Sequence, residues 1–286
     1  MTHPNDLIEV PSKEHIVSNG NTKFRIRFIT DTHIKGDGFR EDLFNKFINE
    51  QKKDPDSFWI HGGDNGDPDR NSRREIDEYS NANRKGEIIT QNEKNKLWVE
   101  HFIIPKYEKI KDSCLGLIAG DHWMVIDGKP CTEYIANRLG VPYLGEREGY
   151  AAVRFITNVG GAFLYIIHAR HGKGGASTPG GDMGALIKQE IGFVADLHLG
   201  GHTHKSNIHN QVITMVNSKC IRKEKISWFM RGGSFLDKPN YAKKAEYTPL
   251  PCGWGEIELN ISRMYHGKDK SRPFYIDTTK CSIIAG

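Results

Sequence analysis

Apolar residues recur along this chain with two different periods, and the alternation between them predicts its elements. Residues 23–30 (KFRIRFIT) alternate basic and apolar side chains and then turn wholly apolar, which predicts a strand running into a buried position. Residues 39–50 place Phe39, Leu43, Phe44, Phe47 and Ile48 on one helical face. Residues 57–60 read as a second short strand. The polar stretch 67–83, with its run DPDRNSRRE, reads as a loop or a solvated helix start. Residues 91–104 read as a helix, with Trp98 and Phe102 four apart and Pro105 disrupting it. A third apolar strand covers 114–119, and a short helix over 132–139 ends at Gly140.

The second half is richer in β. Residues 151–157 and 162–169 are β-rich runs, and Asn158-Val159-Gly160-Gly161 between them is a hairpin signal. A glycine-rich stretch, 172–181, leads into a helix over 183–191 and a strand over 193–199. Strands are then predicted over 211–216, 225–230, 256–261 and 274–276. Strand and helix alternate early and hairpins follow, which predicts a layered α/β protein with a mixed sheet.

Five short segments present a metal-binding side chain straight after an apolar run. They end in Asp31-Thr32-His33, Gly63-Asp64, Gly120-Asp121-His122, His168-Ala169-Arg170-His171-Gly172 and Gly201-His202-Thr203-His204. Several buried strands would thus deliver His and Asp to one edge of a sheet, where α/β proteins place their sites. Asp31 and His33, two apart at a strand end, can chelate one ion, and His202 and His204 repeat that spacing. Asp64 follows two glycines, which let the backbone approach closely. Mixed His and Asp donors suit Mn, Fe, Co, Ni or Zn. A carboxylate has two oxygens and can bridge two ions, which is the arrangement that clamps a phosphoryl group in an in-line displacement. His168 and His171 lie three apart and cannot share one face of a strand.

The series Asp31-x-His33, Gly63-Asp64-x-x-Asp67, Gly120-Asp121-His122, His171-Gly172 and Gly201-His202-Thr203-His204 resembles the calcineurin-like metallophosphoesterase signature DxH, GDxxD, GNH, H, GHxH. It spans about two-thirds of the chain. Arg231-Gly232-Gly233-Ser234 is similar to the small-residue strand that follows GHxH, and residues 182–191 and 241–249 loosely resemble bacterial and bacteriophage members. The resemblance implies an α/β/β/α sandwich with mixed sheets and a metal site at the C-terminal ends of strands. It implies two divalent ions, Mn most of all, with Fe, Zn, Ni or Co as alternatives. Asp31, His33 and His204 would hold the first, Asp121, His171 and His202 the second, and Asp64 would bridge them. His122 would be the catalytic acid or transition-state stabiliser beside Asp64, and Asp67 would orient loop residues. The implied activity is hydrolysis of phosphate mono- or diesters by a metal-bridging hydroxide. His171 is preferred over His168 as the fourth-motif ligand because the family places Gly after its ligand; His168 is then a strand residue of the opposite face or supports the ligands from behind.

Two positions depart from the pattern. Asp121 stands where the family usually has Asn, which makes the site more negative unless a cation faces it. Pro68 replaces the Arg or Leu often found after the second motif and affects local packing only. Other residues invite plainer readings. His61 and His198 match no motif and read as hydrogen-bonded structural histidines. The glycine loop 172–178 lacks the P-loop pattern and is a substrate-side loop or a connection. Arg170 and Lys173 flank the site and are either phosphate contacts or solvated charges. The 70–84 stretch mixes acidic with basic residues and reads as solvated.

Composition narrows the partners. The formal charge of +4 and the absence of a basic, aromatic-interleaved stripe disfavour a nucleic-acid substrate, which stays open as the alternative of a DNA nuclease. The alternative of another class is a degenerate metal-binding interaction module. No apolar stretch spans a bilayer, and residues 1–22 are polar with no signal-peptide core, so a cytoplasmic protein without membrane partners is expected. Five scattered cysteines with no CxxC favour neither disulfides nor a cysteine zinc site. No repeat or linker divides the chain. One domain is expected over 1–286, with a polar extension at 1–22, a catalytic core at 23–262 and a C-terminal extension at 263–286.

Overall fold

The computed structural model describes all residues except 1–8, 18–21, 84–88, 123, 158–161, 175, 177, 217–219, 238–250, 264–273 and 286. The hairpin turn expected at 158–161 and the 241–249 stretch lie outside the described residues. Two six-stranded sheets stack face to face. The first has the order β14 (Phe274–Ala285), β13 (Gly253–Arg263), β2 (Thr22–Ile29), β3 (Ser57–His61), β4 (Cys114–Ile118) and β7 (Tyr143–Gly145). In it β2, β3, β4 and β7 run parallel, while β13 and β14 are antiparallel additions. The second has the order β1 (Ser12–Val17), β8 (Glu148–Thr157), β9 (Ala162–Arg170), β10 (Leu197–Gly200), β12 (Arg222–Gly232) and β11 (Ser206–Val216). Here β9, β10 and β12 are mutually parallel. A small hairpin, β5 (Val125–Ile126) and β6 (Lys129–Pro130), stands apart from both sheets.

The parallel strands read as wholly apolar because successive residues serve different cores. Phe28, Ile60 and Ile118 face the second sheet and pack with Val153, Phe155, Ile167, Leu199 and Met230. Their neighbours Ile29, Trp59 and Leu117 face a helical layer built from α1 (Glu41–Lys53), α2 (Arg70–Asn83), α3 (Gln91–Trp98), α4 (Ile104–Tyr107) and α5 (Cys131–Leu139). On the far side of the second sheet, α6 (Pro179–Gln189) buries Met183 and Leu186 against Phe229. The layers therefore run helix, sheet, sheet, helix, as the resemblance implies. One basic position of β2 is not solvated: buried Arg27 meets Glu256 at 2.8 Å, Asp54 at 2.8 Å and Gln51 at 2.9 Å.

Several element boundaries differ from the sequence reading. Of the two readings of 67–83, loop or helix start, the helix holds and runs the whole way over 70–83, with Asp69 accepting from the Ser72 N–H at 2.6 Å at its start. Pro105 does not end its helix. The chain passes through a π turn at Val99–Ile103, and Pro105 falls in the first turn of α4, where its missing N–H costs little. The strand expected over 193–199 is confined to Leu197–Gly200, because the Phe193 N–H turns back to the Glu190 carbonyl. Residues 12–17, expected within a polar extension, form β1. Buried Val17 joins the core between the sheets, and the His15 ring packs 4.5 Å from that of Phe24. The expected C-terminal extension contributes the edge strand β14.

Candidate metal centre

The parallel strands β2, β3 and β4 of one sheet and β9 and β10 of the other bring their C-terminal ends to one rim. Backbone hydrogen bonds stitch the loops beyond them. The Asp31 N–H donates to the Gly63 carbonyl at 2.9 Å, the His33 N–H to Asp64 at 3.0 Å, and the Asp64 N–H to Ala119 at 2.9 Å. The two sheets are tied at the same place, where the His202 N–H donates to Asp31 Oδ2 at 2.9 Å. Such turns demand unusual backbone. Asp31, His33, Asp64, His202 and His204 all have positive φ, between 42° and 72°. Each such non-glycine residue costs roughly 1–3 kcal/mol and persists only where the surroundings enforce it. Gly120 is needed for proximity: its φ is 94°, and a Cβ there would overlap the Asp64 carboxyl.

All seven expected ligands converge. Asp31, His33 and His204 form one group, and Asp121, His171 and His202 a second, the donor atoms within each lying no more than 4.8 Å apart. His204 Nε2 faces Asp31 Oδ1 at 3.2 Å, and His202 Nδ1 faces Asp121 Oδ2 at 3.2 Å. Asp64 lies between the groups. Its Oδ2 is 3.7 Å from His33 Nε2 and 3.2 Å from His171 Nε2. Its Oδ1 accepts from the backbone N–H groups of Asp121 and His122, at 2.7 and 2.8 Å. His171 Nδ1 lies 3.0 Å from the Gly62 carbonyl and donates to it, which turns Nε2 toward the carboxylates.

A metal pair fits this donor set. Asp31 Oδ1, both ring nitrogens of His33 and His171 Nε2 are buried and have no hydrogen-bond partner. Asp31 Oδ1, His33 Nε2 and His171 Nε2 turn toward the same site, and such buried orphaned donors are costly unless a cation meets them. Burial pushes the Asp31 carboxyl up, but facing His204 outweighs it and holds the carboxyl well below its usual range. Burial likewise pulls His171 down, yet Asp64 and Asp31 raise it to about 9. His204 is raised by Asp31 against the effect of burial, whereas burial lowers His33 and His202.

Four further histidines lie near the rim or behind it. His122 is exposed at the rim, its ring 5.5 Å from that of His33. Buried His61 accepts the Gly63 N–H at Nδ1, 3.0 Å away, and meets Thr32 Oγ1 through Nε2 at 3.0 Å. Burial lowers its pKa to about 3. His168 points to the opposite face of β9. There His168 and His198 both present Nδ1 to buried Glu190 Oε2, at 2.6 and 2.5 Å. This trio could also hold a cation by spacing. However, its carboxylate already meets two imidazole nitrogens at one oxygen and has the Arg170 guanidinium within ion-pair distance, 2.8 Å, of the other, so its charge is met without a cation.

Three supporting residues lie outside the five ligand motifs. Thr30 Oγ1 donates to Asp31 Oδ2 at 2.6 Å. Arg147 reaches Asp121 Oδ1, so the charge this position adds is met by a guanidinium. Fully buried Arg231 donates from Nη1 to the Gly201 carbonyl at 2.8 Å and pairs through Nε with fully buried Asp182, 3.3 Å away. The Arg231-Gly232-Gly233-Ser234 resemblance marked the segment, and a charge closing the apolar run Trp228-Phe229-Met230 marked the residue; nothing local marks Arg147.

The chain is thus a layered helix–sheet–sheet–helix sandwich that gathers paired His and Asp groups at one rim, and its motif series resembles the calcineurin-like metallophosphoesterase signature. No protein-family model matches the chain, and no curated protein does. Among solved structures it is similar to the calcineurin-like phosphoesterase YfkN from Bacillus subtilis, at 10% identity over 93% of this chain and 91% of that one, with a TM-score of 0.46. A predicted phosphoesterase from Streptococcus pneumoniae TIGR4 is 12% identical over 90% of this chain and 98% of that one, with a TM-score of 0.36. Chaetomium thermophilum Vps29 is 11% identical over 92% and 95%, with a TM-score of 0.37. Among the described residues no helix is long and apolar enough to cross a membrane.

Proposed function

We propose that the chain is a two-metal phosphoesterase that hydrolyses phosphate mono- or diesters. The observation that carries this reading is the position of Asp64: one carboxylate oxygen faces an imidazole from each group, and two backbone N–H groups hold the other. Asp31, His33 and His204 would hold one divalent ion, Asp121, His171 and His202 the other, and Asp64 both, with Mn(II) the first choice for a mixed His and carboxylate set. When bound, the pair would polarise the phosphoryl oxygens and acidify a water.

The chain's own residues supply the rest. The backbone donors on Asp64 fix its free oxygen between the groups. His171 is oriented by the Gly62 carbonyl, so it offers Nε2 in one tautomer. His122 stands at the solvent edge with no ligand role and can hand a proton to the departing alkoxide. The test is elemental analysis joined to an assay with nitrophenyl phosphate and its bis-ester. Two ions per chain are expected, with activity lost to a chelator and restored by Mn(II). Full activity after exhaustive metal removal refutes the reading.

A further inference from the structure

A cleft of about 380 Å³ opens beside the metal groups, lined by Arg147, Glu148, Arg170, Gly172, Lys173 and Gln189. Its wall is continuous with the centre. Gly172 follows His171, and the His171 N–H donates to the Arg147 carbonyl at 2.8 Å. The Arg147 side chain lines the cleft and also reaches Asp121 Oδ1, so one guanidinium borders both the second metal group and the cleft.

Three cations line this space against one carboxylate. Arg170 is held in place by Glu148 and by buried Glu190, so it is a fixed part of the wall. Lys173 is different: its side chain is exposed and has no carboxylate partner among the described residues. Its backbone is nonetheless anchored, because Gln189 Nε2 donates to the Lys173 carbonyl at 3.0 Å. Arg147 and Arg170 are each met by carboxylates, so the cation left for an anion is Lys173, whose backbone is already anchored beside two fixed guanidinium groups, which lowers part of the ordering cost of binding. A planar arginine fork beside a lysine point charge suits a phosphate.

We propose that this cleft binds a second phosphate of the substrate, making the preferred substrate a phosphoester that carries another phosphate close to the one hydrolysed. The assignment rests on the phosphoesterase reading above, and its test separates the two. The Mn(II)-loaded protein is assayed with whichever nitrophenyl ester it turns over. A nucleoside 5′-monophosphate and the matching 3′,5′-bisphosphate are compared as competitive inhibitors. The bisphosphate should bind about tenfold more tightly, the size of one charge-assisted contact at a solvent-facing site. Lys173→Glu should erase that advantage while leaving the inhibition constant of the monophosphate and the kcat and KM of the nitrophenyl ester unchanged, and Lys173→Arg should retain it. Equal inhibition constants in the parent protein, or a Lys173→Glu change that weakens both inhibitors alike, overturn the subsite and leave the reaction standing. Failure of the parent to hydrolyse either ester overturns the reading of function and the subsite with it.

Discussion

The buried pair behind the His202–His204 loop should decide both stability and metal binding. Arg231 and Asp182 are fully buried, and Arg231 also holds the Gly201 carbonyl. Asp182→Asn removes the anion and leaves a guanidinium in the interior. Breaking one partner of such a pair costs about 3–5 kcal/mol. At roughly 2–4 °C per kcal/mol for a chain of this size, the melting temperature should fall by about 10 °C. The double variant Asp182→Leu, Arg231→Met replaces both charges with apolar groups and should recover most of that loss, since an apolar pair of similar volume is near-neutral or better. It cannot restore the donor to Gly201. Metal affinity measured calorimetrically on the stripped protein should therefore stay about 10- to 100-fold weaker in the double variant, even though it is stable, as for groups that orient ligands from behind. The assays are urea and thermal unfolding together with metal titration. An Asp182→Asn protein within about 1 kcal/mol of the parent would refute the reasoning, since a buried unpaired charge costs more than that. So would a double variant as unstable as the single one.

Other outcomes follow from the same geometry. His122→Ala should lose about 10²- to 10⁴-fold in rate while elemental analysis still finds both ions, and His202→Ala should lose metal occupancy. Asp121→Asn removes a negative charge and leaves the Arg147 guanidinium unmet, so the acidic limb of the pH–rate profile should move down, whereas Arg147→Ala should move it up. His61 is lowered to about 3 by burial, so it takes up its proton far more readily unfolded than folded. It contributes stability above pH about 6.5 that is lost as the pH falls toward 3, and its ring resonances should not titrate between pH 8 and 5.

The ligand motifs were legible because each is a local statement. An apolar run that ends in Asp or His says that a buried strand delivers a donor to a sheet edge, and five such endings in order say that the donors meet. Side chains alternate along a strand, so one of His168 and His171 had to face away; the preference for His171 came from the glycine that follows it, as in the motif the sequence resembles. Helix α5 and its Gly140 terminator were equally local. Other features needed the fold. Whether 70–83 winds as a helix depends on Ile76 and Ser72 finding the layer formed with Trp98, which no window of sequence contains. Residues 12–17 look like a polar tail until β8 offers an edge to pair with.

The sequence by itself determined which residue types reach the rim, their order, and hence the kind of chemistry available there. Only the tertiary structure decided how charge is distributed around them. Arg147 beside Asp121, Arg231 beneath Gly201 with Asp182 from α6, and Glu190 between His168 and His198 are all contacts between side chains from different elements. Electrostatic partners are set by distance in space. A periodic pattern reports only which face of its own strand or helix a residue occupies.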